Sequence, residues 1–204
     1  GVLQKYGLDQ FLLSVLLPQK ERLTPNLQKS FLRALFNSDR IAEFDQAWHA
    51  LDASPEIQSD PELLLYRAAF IGIWGTAEVA VRPQRRLEDH LSDGPWRALA
   101  NRLYLRVCER RLDEDGYFAT LRRLEEGKET RLMDHIRGWQ LLAAIGQRAE
   151  AVRRAKSFAD APVTGVEAIQ LAQAYHGLGL REEATQLLDR STMEFGFLDG
   201  LWVL

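Results

Sequence analysis

The sequence is poor in cysteine, in lysine and in long apolar runs, and each shortage excludes something. A single cysteine, Cys108, leaves no partner for an internal disulfide and no basis for a multi-cysteine metal cluster. The longest apolar-looking stretch, residues 11–17, is interrupted by Ser14 and closed by Pro18. That is well short of the roughly 20 apolar residues a membrane crossing needs, so no direct membrane insertion is expected. Neither sign of charge dominates: 26 basic and 29 acidic residues give a net charge of -3. A surface that holds nucleic acid by releasing counterions would be strongly cationic, so no nucleic-acid partner is expected either. Strand signals are missing as well, since no alternating run is bounded by turn residues and no Asn-Gly hairpin dipeptide occurs.

What is present is an ordinary globular composition, 46% hydrophobic and 27% charged over 204 residues, enough for one domain or two small ones. Only five of the basic residues are lysine, and the remaining 21 are arginine. Arginine codons are rich in G and C, which fits a GC-rich bacterial source; the composition leaves the compartment, bacterial cytoplasm or periplasm, open. The physical alternative is selection for forked recognition of carboxylates or phosphates. A first residue of Gly1, and an apolar stretch at Phe197, Leu198, Leu201, Trp202, Val203 and Leu204, read as the cut ends of a longer protein.

Helix-start signals recur at a nearly fixed interval. Thr24-Pro25, Asp60-Pro61, Gly94-Pro95, Thr130 and Thr164 follow one another at spacings of 36, 34, 36 and 34 residues. A Thr or Asp side chain can accept an otherwise orphaned N–H of the first turn, and proline at the first helical position has no N–H to waste. A second series marks a turn in the middle of each unit, at Asp39, Gly75, Arg111, Gly146 and Gly179. Five residues beyond each stand Phe44, Ala80, Gly116, Ala151 and Ala184, mostly small. The heptapeptides 145–151 and 178–184 match in register. Two independent signals with one period indicate a helical solenoid.

The intervening segments have helical periodicity: Val166, Ile169, Ala172 and Tyr175 form one stripe, and Ala184, Leu187, Leu188 and Ser191 another. The expected fold is an all-α, right-handed α-solenoid of about five antiparallel helix pairs. These are 25–37 with 40–53, 61–74 with 77–91, 95–110 with 113–126, 131–145 with 148–160, and 165–178 with 181–195. Residues 1–23 are read as a partial repeat carrying the second helix of a truncated unit. Residues 24–196 form the repeats, and 197–204 start a further first helix. No linker rich in Pro, Gly or Ser divides the array.

A two-helix unit of about 34 residues with a turn glycine and a small residue five later resembles the tetratricopeptide repeat. In the last unit Leu171, Ala172, Tyr175, Gly179, Ala184 and Leu188 match the family's spacing, and Trp139 lies close to its tryptophan site. Phe44 and Arg111 depart from the pattern. The resemblance implies an interaction fold without catalysis, its ligand lying in a groove lined by the first helices. It also brings to mind the family's carboxylate clamp, for which Lys29 is placed suitably. Arg33 and Tyr66 stand where that clamp needs asparagine, so it is incomplete.

Other constellations read as structural. His49, His90, His135 and His176 never fall within four residues of each other or of Cys108, whereas zinc needs three or four converging ligands. No glycine-rich loop precedes Gly-Lys-Ser/Thr, and adjacent carboxylates such as Glu125 and Glu126 point apart on a helix. No cofactor, metal or catalytic residue is expected. The candidate groove residues are Lys29, Arg33, Asn101, Gln140, Gln173 and His176, polar side chains on first helices. The leading expectation is a non-enzymatic scaffold, part of a larger bacterial protein, that docks a partner protein or peptide. Two alternatives stand beside it. One is a periplasmic structural scaffold of an envelope or exopolysaccharide-secretion assembly, with neighbouring envelope subunits as partners. The other is a sensor domain of a multidomain regulator.

Overall fold

A computed structural model describes residues 9–51, 59–161 and 163–195. Every regular element among them is helical: eleven α-helices and one 3₁₀ turn, with no strand among the described residues. The chain forms two compact units that divide between Leu103 and Tyr104.

The first unit opens with α1 (Asp9–Leu16), a 3₁₀ turn (Leu17–Arg22) around Pro18, then α2 (Pro25–Asn37), α3 (Ile41–Leu51), α4 (Pro61–Trp74) and α5 (Ala77–Glu88). Its neighbours in packing are α1 with α2, α2 with α3, α2 with α4, and α4 with α5. Proline begins α2 and α4, and Asp60 caps α4 by accepting the Leu63 N–H at 3.1 Å. The core is aromatic. The Phe36 ring meets Phe44, Tyr66 and Trp74 edge-on, at centroid distances of 5.9, 5.2 and 5.8 Å, and Phe44 stacks on Phe70 at 4.6 Å. Each such pair adds about 0.5–1.5 kcal/mol beyond the area it buries.

The division falls within α6 (Arg97–Arg111). The second unit continues with α7 (Glu114–Glu126), α8 (Leu132–Ala144), α9 (Arg148–Lys156), α10 (Gly165–Gly177) and α11 (Arg181–Phe195). Here α8 packs with α7, α9 and α10, and α10 packs with α11. Trp139, Leu142, Leu171, Ala172 and Tyr175 are buried in a shared core. Gly138 allows a close approach: a Cβ there would stand 3.0 Å from the Tyr117 ring. Thr164 and Glu167 form a reciprocal cap, the Thr164 hydroxyl accepting the Glu167 N–H at 3.4 Å and the Glu167 carboxylate accepting the Thr164 N–H at 2.9 Å.

Within the described residues the expected helices are present, with ends differing by a few residues. The largest difference is at 148–160, which leaves the helix after Lys156 and continues in turns. The third unit is out of register with its sequence signals. Gly94 takes a left-handed φ of 85° in the connecting segment, and α6 begins only at Arg97. Its internal turn is made at Leu112, φ 57°, rather than at Arg111. Gly75, read as the turn glycine of the second unit, has an extended φ of -76°.

With the register corrected, one hydrogen bond recurs in all five second helices. The N–H groups of Phe44, Ala80, Tyr117, Ala151 and Ala184 donate to the carbonyls of Arg40, Thr76, Asp113, Gln147 and Leu180, at 2.9–3.1 Å. All five side chains are buried. The third of them is Tyr117, not Gly116. The expected partial helix at 197–204 lies outside the described residues.

Candidate functional site

Lys29 and Arg33 lie one turn apart on α2 and meet two acids at the start of α4. The Lys29 ammonium donates to Asp60 at 2.5 Å and stands 3.4 Å from Glu62, and the Arg33 guanidinium donates to Glu62. The carboxylates gain additionally from the positive end of α4. Burial works to raise the Asp60 pKa. The Lys29 hydrogen bond, the Leu63 N–H and the Lys29 charge outweigh it and hold the carboxyl below its ordinary value. The arrangement is a half-buried ion-pair cluster. An incoming carboxylate would have to compete with Asp60 and Glu62 for both cations.

Asn101 is placed differently from the expectation that it faces a groove. It is fully buried, and its amide donates to the carbonyls of Leu91 and Arg97, each at 2.8 Å, which ties the segment after α5 onto α6. Among the described residues its side-chain oxygen has no partner, and it is sealed from solvent. Asn101 therefore organises the interior and presents no surface.

Gln140, Gln173 and His176 are exposed, on α8 and α10, two helices packed together in the second unit. Gln140 and Gln173 occupy one register, each six residues before a left-handed glycine, Gly146 and Gly179, with φ of 87° and 81°. The six candidates thus fall into three sets: a neutralised pair on α2, a buried amide on α6, and an exposed polar trio on α8 and α10.

The remaining chemistry-bearing groups are built into packing. His135 sits on α8 with its ring 4.5 Å from that of Phe158, and its Nδ1 is 3.9 Å from Glu125. Burial pushes its pKa down, while Glu125 and Asp134 pull the other way. Burial raises the Tyr175 hydroxyl to about 12, and that hydroxyl donates to the Ala155 carbonyl at 3.1 Å. Glu150 is held at about 2 by hydrogen bonds from Arg153 and Arg154. Cys108 is buried. Among the described residues no group of three or more His, Cys, Asp or Glu side chains could hold a metal ion. No helix among them is long and apolar enough to cross a membrane.

Sequence reasoning missed the acids that neutralise Lys29 and Arg33. A signal existed: Asp60 and Glu62 follow them by 31 and 29 residues, slightly less than one repeat, which sets the middle of one first helix against the start of the next. Arg67 was missed too. Its guanidinium lies over the rings of Trp48 and Phe70, at 5.5 and 5.2 Å, and donates to Asp45 at 2.8 Å. Comparison with protein-family models, curated proteins and solved structures finds no match to this chain.

Proposed function

We propose that the chain is a non-catalytic interaction scaffold, a tetratricopeptide-like right-handed solenoid of five helix pairs within a larger bacterial protein, which docks a partner protein or peptide. One observation carries this reading. Within each unit, first helices pack on first helices, α2 on α4 and α8 on α10, while each is also paired with its own second helix. Helical pairs stacked in that way leave one side of every first helix without an internal partner. On α8 and α10 that role falls to Gln140, Gln173 and His176, polar side chains exposed at corresponding or adjacent positions and unneeded for packing. Burial of Leu171, Ala172, Tyr175 and Ala184, the positions that carry the family resemblance, supports the same reading.

The test pairs shape with binding. Small-angle X-ray scattering should give an elongated particle for a solenoid, and a compact sphere would remove the architecture. Capture by the intact chain from cell extract should be lost in a Q140E/Q173E/H176E variant that melts like the parent. Capture unaffected by that variant would remove the docking surface on α8 and α10.

A further inference from the structure

The outer face of α5 carries a second feature, independent of the polar trio. Ala80 and Leu87 of this helix are fully buried, so its inner face is committed to packing. On the opposite side Arg82, Arg85 and Arg86 are exposed, flanked by Val79 and Val81, which are 59% and 50% exposed. Positions 79, 82 and 86 run up one line of the helix, with 81 and 85 beside it. Four cations elsewhere in this unit, Lys29, Arg33, Arg40 and Arg67, each hold a carboxylate, on Asp60, Glu62, Glu43 and Asp45. The guanidinium groups of Arg82, Arg85 and Arg86 make no ion pair or hydrogen bond among the described residues.

We infer that this face of α5 docks an acidic segment of a partner protein, with aliphatic side chains between its carboxylates. Three unneutralised arginines within two turns offer planar forks that take carboxylates in pairs, and arginine is enriched among the residues that dominate binding energy. The exposed valines supply the apolar contact that a purely ionic patch lacks. A membrane surface fits less well, because interfacial helices bury Trp, Phe or Leu into the headgroup boundary and this face offers two valines. Nucleic acid fits less well on a chain whose net charge is -3. The inference rests on the interaction-scaffold reading and assigns the chemistry of one partner to a surface distinct from the polar trio.

The experiment titrates the full chain against a fluorescent peptide of repeated Glu-Glu-Leu triplets, its Gln-Gln-Leu counterpart, a single-stranded oligonucleotide, and phosphatidylserine vesicles. The acidic peptide is expected to bind and the glutamine peptide to bind at least about tenfold more weakly, a difference of roughly 1.4 kcal/mol. R82E/R85E/R86E should abolish binding with helicity and melting unchanged. R82K/R85K/R86K should weaken it several-fold, because charge remains and the fork is lost. No binding of the acidic peptide, equal binding of both peptides, or tighter arginine-dependent binding of the oligonucleotide or vesicles would each overturn the inference. Q140E/Q173E/H176E should leave the peptide affinity unchanged, so failure on α5 and failure of the α8 and α10 surface are read separately.

Discussion

The Tyr117 hydroxyl donates to the main-chain carbonyl of Asp134 at 2.6 Å, tying the start of α7 to the first turn of α8. The same ring lies against Gly138 one turn further on, so a single tyrosine fixes both the height and the separation of the two helices. Burial raises its pKa far above the ordinary tyrosine value, in keeping with a hydroxyl that stays protonated as a donor.

Tyr117→Phe keeps the ring and deletes the donor. It should cost about 1 kcal/mol in chemical denaturation, the usual net worth of one such bond. Gly138→Ala should cost about 1–3 kcal/mol, because the added methyl meets Tyr117 and Phe118 at 3.0 and 3.2 Å in a packed core. A neutral Gly138→Ala would show that the two helices can separate without loss.

His135 gives unfolding a pH dependence whose sign follows from its surroundings. Its folded pKa lies below the ordinary 6.5, so the unfolded chain takes up the proton more readily. The contribution of His135 is therefore complete above about 6.5 and declines as pH falls from there toward the folded value. Replacing His135 with Phe should flatten urea midpoints across that window. An unchanged slope would assign the dependence to other groups.

Leu112 is an exposed residue in the left-handed region, at φ 57°. That conformation costs a non-glycine residue about 1–2 kcal/mol, against about 0.5–1 kcal/mol for the extra chain entropy of glycine. Leu112→Gly should thus raise stability by up to about 1 kcal/mol. Gly146→Ala, at φ 87° with open space around it, should lower stability by about 1–2 kcal/mol through backbone strain alone. Paired denaturation curves would check both signs.

Glu62 is the shared acceptor for two cations. Glu62→Gln leaves Lys29 and Arg33 facing a neutral amide in a half-buried place and should cost about 1–2 kcal/mol, between the values for exposed and buried ion pairs. In a double-mutant cycle, adding Arg33→Met should recover part of that loss. Strictly additive losses would mean that the pair is not coupled.

The helices were legible in the sequence because their boundaries are local. Proline at Pro25 and Pro61 and capping side chains at Asp60 and Thr164 act within one turn of themselves. The third unit was not legible in detail, because its internal turn has no glycine and uses Leu112 instead, which carries no compositional mark. Among the candidate residues, polarity alone could not separate Gln140 from Asn101. What distinguishes them is the carbonyl of Leu91, in an irregular segment with no periodicity to place it. The acids facing Lys29 and Arg33 are legible through the repeat, since each lies slightly less than one unit beyond the cation it meets.

The recurring N–H at Phe44, Ala80, Tyr117, Ala151 and Ala184 keeps the backbone alike while the side chains there run from a methyl group to a ring. The helix pairs are consequently not interchangeable parts. Grafting α9 in place of α7 would put Ala151 where a tyrosine fills the gap, and the reverse exchange would force a ring into space shaped for a methyl. Reordering the chain by shuffling whole pairs should fail at each junction where the occupant changes size, and succeed among α5, α9 and α11, which all carry alanine at this place.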